Sequence, residues 1–290
     1  WLKIKLAHTN TLTRPDYSSI VPLNRANGQY KTLEWKNKTL EPALSKNLDF
    51  SLSLNENKLG FISVGYFQKE IDGLIYSSGS RVFFEEDSNS IDLSSNYHDY
   101  RILDYELNNP NKLYLTGWEL DYQTRLWYLP SFLSGFVLNI NYTTANSQVQ
   151  YPRTVIETYF DFDSFEYVQN NFDSTYTDRL IDQTDEIINL SIGYDYKGFS
   201  GRLSMLHNDD VFVATDFWPS LRQHTDAYTR WDLSLKQSLQ FEGLEVFLNV
   251  SNLSETNDVT RYRGISLKGD DLKLEQYYGK TIDFGFRYSF

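Results

Sequence analysis

The sequence predicts an all-β protein, a transmembrane antiparallel β-barrel built from about ten strands. Large apolar side chains alternate with small, polar or charged ones in window after window, and no amphipathic helical period competes. Tyr and Phe are abundant, 22 and 19 of 290 residues. Both favour strands, and Tyr also settles at membrane interfaces. The connections between windows are short and long by turns along the chain.

The windows come in this order. Leu2, Ile4 and Leu6 alternate with Lys3 and Lys5, and Leu48, Phe50, Leu52 and Leu54 with Asp49, Ser51 and Ser53. Ile62, Val64 and Tyr66 follow, then Trp118, Leu120 and Tyr122 around Glu119 and Asp121. Phe136, Leu138, Ile140 and Tyr142 form the next, and Ile188, Leu190, Ile192, Tyr194 and Tyr196 another. Leu203 and Met205 alternate with Arg202 and Ser204, and Trp231, Leu233 and Leu235 with Arg230, Asp232, Ser234 and Lys236. Leu244, Val246, Leu248 and Val250 surround Glu245 and Asn249. The last window sets Ile282, Phe284, Phe286, Tyr288 and Phe290 against Asp283, Gly285, Arg287 and Ser289.

Successive side chains of a strand point to opposite faces, so each window has one greasy and one wet face. A soluble sandwich shares that alternation, and the connections separate the two. Residues 55–60, 128–135, 196–199 and 240–243 are short turns at every second connection. Residues 11–40, 78–111, 149–184, 214–226 and 254–276 are long and polar, so all the long connections fall at one end. Short periplasmic turns and long extracellular loops are the pattern of a bacterial outer-membrane barrel. The greasy face is then expected on lipid. The wet face, carrying Lys3, Lys5, Asp49, Glu119, Asp121, Arg202, Arg230, Asp232, Lys236, Glu245 and Arg287, is expected on the lumen, against a plug or paired across neighbouring strands.

The chain has no cysteine, which excludes disulfides and thiolate metal sites. A net charge of −12 with no Lys or Arg stripe argues against a nucleic-acid partner. No stretch approaches the ~18 consecutive apolar residues of a membrane-crossing helix. A mean hydropathy of −0.50 is compatible with a barrel, where only alternate strand residues meet lipid. Ten strands can close on themselves or form the last ten of a larger barrel, since an unpaired edge is not tolerated in a bilayer. A chain that begins at Trp1, inside an alternating window, favours the larger barrel.

Candidate chemistry is sparse. His98 beside Asp99, and His207 near Asp209 and Asp210, lack ligand spacing or a Ser-His-Asp order. Residues 160–178 read as an acidic surface loop; its Asp161 and Asp163 are a candidate Ca²⁺ pair without the Gly-bearing loop of an EF-type site. No cofactor and no other metal is expected. Trp35, Phe217 and Trp218 lie in long connections, with Arg222 close behind. They are candidate ligand platforms, or else aromatics of the interfacial girdle or of loop packing. Arg14, Arg261 and Arg263 add local basic charge.

Several segments, in order, resemble the C-terminal half of TonB-dependent outer-membrane receptors, especially those of Bacteroidota. HTNTLTRPDYSSIVP (8–22) resembles their strand-to-loop segment with Thr-Leu-x-Arg-Pro. NKTLEPALSKNLDFSLS (37–53) resembles the segment opening the next strand, with Pro42 displaced to follow Glu41. LGFISVGYFQKEIDGLIY (59–76), TGWELDYQTRL (116–126), LEVFLNVSNLSETND (244–258) and YYGKTIDFGFRYSF (277–290) resemble later family strands. Phe284, Phe286, Tyr288 and Phe290 look like the signal read by the outer-membrane assembly machinery.

The resemblance implies a 22-stranded barrel in the outer membrane of a Gram-negative bacterium, with residues 1–290 as its C-terminal part. It implies a transporter, not an enzyme, importing a scarce siderophore, vitamin, glycan or peptide. Its plug, TonB box and signal peptide are expected outside this chain. The implied partners are outer-membrane lipid and lipopolysaccharide, the plug of the same parent protein, TonB through the N-terminal part, and a surface lipoprotein. Two rivals stay open. One is a self-closed ten-stranded barrel with hydrolase activity, with His98 or His207 on the lumen rim. The other is a soluble carbohydrate-binding β-sandwich.

Overall fold

The computed structural model describes residues 1–21, 23–79, 81–82, 100–103, 105–216, 218–239, 241, 243–263 and 271–288. Ten strands form one antiparallel sheet in chain order. They are β1 Leu2–Thr13, β2 Ala43–Glu56, β3 Gly60–Asp72, β4 Leu113–Arg125 and β5 Phe136–Asp161. β6 Glu186–Tyr196, β7 Phe199–Asn208, β8 Tyr228–Ser238, β9 Leu244–Ser251 and β10 Thr281–Tyr288 complete the wall. Each expected window lies on one of them. The last strand is described to Tyr288, so Phe290 of the assembly signal lies outside the described residues.

Register carries the greasy face across all ten strands. Ile4, Leu52, Val64, Leu120, Tyr142 and Ile188 are successive cross-strand partners. Leu138, Ile192, Leu203, Leu233, Val250 and Ile282 form a second such row. Much of these rows is uncovered, with Ile4 64% and Ile282 62% exposed, although Val250 is buried. The same register puts the eleven charged residues of the wet face together on the opposite side. No helix among the described residues is long and apolar enough to cross a membrane.

Aromatic residues mark both ends of the greasy band. Trp118 packs on Tyr66, ring centroids 4.9 Å apart, toward the long-loop end. Trp127, Tyr128 and Phe132 are exposed in the short turn between β4 and β5. From Trp118 to Trp127 is roughly 30 Å along the chain at ~3.3 Å per residue, or about 23 Å after a tilt near 40°, close to the ~25 Å apolar band of such barrels.

The long connections are built, not shapeless. Two of them together hold a four-stranded sheet, Val211–Ala214 and Gln223–Thr225 from one and Asp258–Tyr262 and Asp271–Gln276 from the other. A second four-stranded sheet includes Arg25–Asn27 and Thr32–Glu34. The expected loop at 149–184 is largely an extension of β5, which returns as the strand Glu166–Asp178. Its polar residues and Pro152 look loop-like, yet Pro152 is tolerated because beyond Gln148 the strand has left its β4 neighbour and needs one fewer N–H.

Two wall glycines are fixed by contact. A Cβ on Gly117 would sit 2.3 Å from the Phe67 ring, and one on Gly285 would sit 2.8 Å from the Phe247 ring. Each Phe lies on the wet face directly across from its glycine. Gly117→Val therefore forces the Phe67 ring and the Thr144 backbone apart, and we expect a loss of about 1–3 kcal/mol, as for other overpacked sites. Urea unfolding of the parent protein in detergent, followed by gel mobility with and without boiling, measures it. Leu120→Arg, in the middle of the greasy face, should cost about 2–4 kcal/mol in the same assay, whereas Asp121→Asn on the wet face should leave the midpoint nearly unchanged.

Candidate functional site

The wet face of β5 leads from the wall to the candidate site. Asn139, Asn141 and Thr143 lie on it, and the period of two carries Val149, Tyr151 and Arg153 to the same side once the strand passes the wall. There the long connections fold over that side and bury a small apolar core. Tyr76, Leu113, Val149, Tyr151 and Phe212 form it, and Tyr151 and Phe212 are fully buried.

Within this core four planar groups touch in series, the first pair edge to face and the next stacked. Tyr76 meets Tyr151 at 5.2 Å, Tyr151 stacks on Tyr176 at 5.3 Å, and the Arg222 guanidinium lies 3.3 Å from the centre of the Tyr176 ring. The Tyr151 hydroxyl donates to the Arg179 carbonyl at 3.0 Å and accepts from the Ile181 N–H at 3.2 Å. Burial pushes the Tyr151 and Tyr176 hydroxyls well above their ordinary range, so both stay neutral. Arg179 is held by Asp185 at 3.1 Å and by Asp210, and Arg263 is paired with Asp178 while stacked 4.8 Å over Phe212. Arg222 is buried, and among the described residues its Nε and Nη2 have no hydrogen-bond partner; Arg153 Nε and the Tyr176 hydroxyl are in the same condition.

A cavity of about 560 Å³ adjoins this stack, walled by Tyr76, Ser77, Glu106, Asp182, Thr215 and Gln223 among others. Two shallower hollows of about 350 and 370 Å³ lie along the wet face of the wall, one beside Lys5, Asp49 and Glu119, the other beside Asp121, Arg230 and Asp232. Several wet-face charges pair locally: Arg202 with Asp195 at 2.7 Å, Lys236 with Glu245 at 3.3 Å, and Arg230 with Asp232 at 3.9 Å.

The candidate platforms do not converge on one spot. Trp35 is half-buried and packs against Leu33, Ile102 and Tyr105 in a second loop core, which is the packing alternative for that residue. Trp218 remains 45% exposed ahead of the short turn Pro219–Leu221, and Arg222 ends that turn inside the stack. Phe217 lies outside the described residues. Asp161 has a turn role: its carboxylate accepts from the Asp163 N–H at 3.0 Å and the Ser164 hydroxyl at 2.8 Å, and these bonds hold it below the usual carboxylate range. Among the described residues no group of three or more His, Asp or Glu side chains converges to hold a metal. His207 shares the greasy face with Ile188 and binds Thr229 Oγ1 at 2.8 Å, away from the lumen rim where the hydrolase alternative needs it; His98 lies outside the described residues.

Tyr76, Tyr151, Tyr176 and Arg153 escape the sequence reading. Val149, Tyr151 and Arg153 do continue the alternation of β5, and that continuation is the signal that could reveal them.

The chain belongs to the TonB dependent receptor-like β-barrel family, whose sequence profile matches residues 1–253. It is an outer-membrane β-barrel of a Gram-negative bacterium. No curated protein sequence matches it. Similar solved structures include the ferric enterobactin receptor of Pseudomonas aeruginosa, at 14% identity and a TM-score of 0.57 over 100% of this chain and 38% of that one. The copper transporter OprC is similar at 11% identity and a TM-score of 0.58, over 100% of this chain and 37% of that one. The ferripyoverdine receptor of the P. aeruginosa outer membrane follows at 13% identity and a TM-score of 0.53, over 99% and 31%. This chain spans less than two-fifths of the length of each.

The loop core should fail independently of the wall. Tyr151→Phe, which removes only the hydroxyl bridging Arg179 and Ile181, should cost about 1 kcal/mol of local stability. Tyr151→Ala should cost about 3–5 kcal/mol. Protease cleavage within residues 176–184 is the readout, and the boiled-versus-unboiled gel shift of the wall should stay unchanged in both variants.

Proposed function

We propose that this chain is the C-terminal barrel part of an active transporter that uses TonB to import a scarce ligand across the outer membrane. One observation carries this reading: a transmembrane wall with a charged, hydrogen-bonding inner face is roofed at its extracellular end by a folded loop layer. A passive pore needs no such roof, whereas selective capture needs side chains fixed around an entering molecule. In this reading the wet-face charges, from Lys3 and Lys5 through Arg287, face the plug of the parent protein and the ligand path. Trp218 and Arg222 belong to the capturing layer. The greasy rows face lipid, the loop end faces lipopolysaccharide, and TonB is reached through the N-terminal part of the parent chain. The β5 hairpin, tipped by exposed Phe162, Phe165 and Tyr167, offers a surface to an accessory lipoprotein.

The similar structures are named for ferric siderophores and for copper, which makes metal chelates the first ligands to test. Deleting the parent gene should abolish growth on one scarce nutrient among iron chelates, copper, vitamins, glycans and peptides, and deleting tonB should reproduce that defect. Growth that depends on the receptor but is indifferent to TonB would sink active transport and leave a passive pore.

A further inference from the structure

The geometry points to an oxyanion subsite on the inner side of the loop layer, in which Arg222 grips a carboxylate or phosphate group of the incoming ligand with a side-on fork, assisted by Arg153 and the Tyr176 hydroxyl. This inference rests on the transport reading and names the chemistry that the capturing layer selects.

The two unmet donors of Arg222 are its Nε–H and its Nη2–H. These lie along one edge of the guanidinium and point the same way, which is the pair that binds both oxygens of a carboxylate or phosphate. The face of the same group is already used, stacked 3.3 Å over Tyr176, so its plane is fixed and the edge is left to a partner. A buried donor without a partner is costly, and a buried cation without a counter-charge more so. The neighbouring arginines are answered: Arg179 by Asp185 and Asp210, Arg263 by Asp178. Arg222 and Arg153 have no carboxylate within ion-pair distance among the described residues, and Arg153 Nε and the Tyr176 hydroxyl are likewise buried and unpaired.

Two arginine edges and a tyrosine hydroxyl, from three segments of the loop layer, are therefore unmet among the described residues, and Arg222 lies within electrostatic reach of both other groups. Burial draws the Arg222 guanidinium down from its ordinary value, and the charges of Arg153 and Arg263 press the same way against Tyr176 and Asp178. An arriving oxyanion reverses that penalty. The 560 Å³ cavity reaches Tyr76 of the same stack and Gln223, the next residue, while Arg222 itself is outside its lining, so a ligand group must displace the packing between them to reach the fork. In a chain of net charge −12, Arg222, Arg153 and Arg263 form a local basic cluster, set beside a cavity whose own charged walls are Glu106, Asp182 and Asp216.

The test is calorimetric titration of the full-length parent receptor in detergent with inorganic phosphate and with citrate, at constant ionic strength held with chloride. The wild type should bind at least one of the two saturably. Arg222→Gln should weaken that binding tenfold or more, and Arg222→Lys should weaken it nearly as much because the charge stays but the fork is lost. Arg25→Gln, at an exposed arginine in another sheet, should leave it unchanged. An unaltered boiled-versus-unboiled gel shift certifies that each variant is folded. Absence of saturable binding in the wild type, or binding that survives Arg222→Gln, overturns the subsite. Displacement of phosphate by lipopolysaccharide micelles assigns the fork to a lipid phosphate and overturns its role in ligand capture. TonB-dependent uptake, measured in cells on the same variants, separates the two ideas. Wild-type uptake that needs TonB while the purified receptor ignores both anions removes the subsite alone; uptake indifferent to TonB removes the transport reading while the titration still stands.

Discussion

A strand in hydrocarbon finds no water for its N–H and C=O groups, so a neighbouring strand must meet every one of them. That requirement ties the ten strands into one ladder, and the ladder in turn fixes which side chains face which way. A slip by one residue would turn Ile4, Leu120 and Phe284 inward and Lys5, Asp121 and Arg287 outward. The wall pairings run without a register shift along their length. Irregularities do occur, between Phe212 and Ala214 and between Thr260 and Arg261, and both lie in the sheet of the loop layer, where water or a neighbouring side chain can meet a freed backbone group.

The same division explains where the core is. In a soluble protein the largest apolar residues are the most buried, but here the wall keeps Phe284 and Phe286 exposed at 64% and 67%. The most deeply buried apolar residues, Leu33, Ile102, Leu113, Val149, Tyr151 and Phe212, lie where the long connections pack on one another or on the upper wall. The bilayer takes the place of a core for the wall, so the protein's own close packing is left to the part that stands in water. Two kinds of stability then coexist in one chain, one carried by backbone pairing in lipid and the other by side-chain packing in the roof.

This division also sets what the amino-acid order reveals. Period two is a local property, and Trp118, Leu120 and Tyr122 display it without reference to any distant residue; hence the ten strands, the two faces and the alternation of short and long connections are readable from the chain. Arg222 is also visible, as a basic residue in a long connection. Its stacking on Tyr176 is not, because the contact joins residues 46 positions apart and depends on β5 continuing beyond the wall. Polar residues and Pro152 disguise that continuation as a loop. Trp35 misleads for a related reason: an aromatic in a connection looks like a ligand platform until the connection is seen to have a core of its own, with Leu33 and Ile102 inside it.

The extended fifth strand has a structural consequence. Its first nine residues, Phe136–Thr144, are held on both sides by β4 and β6, and from Val149 to Asp161 it runs on in a hairpin roughly 40 Å long at ~3.3 Å per residue. Residues 136–161 contain no glycine, and none of them has a left-handed backbone angle that would mark a hinge. The arm thus continues the wall strand without a backbone break, and beyond the wall it is a two-stranded hairpin. Tyr151, on its inner side, sits between the tip and the wall and is stacked on Tyr176, whose other contact is the Arg222 guanidinium. Phe162 and Phe165 at the tip and the Tyr151–Tyr176 contact near the wall therefore belong to one continuous hairpin, so the exposed tip and the buried core share a single piece of backbone pairing.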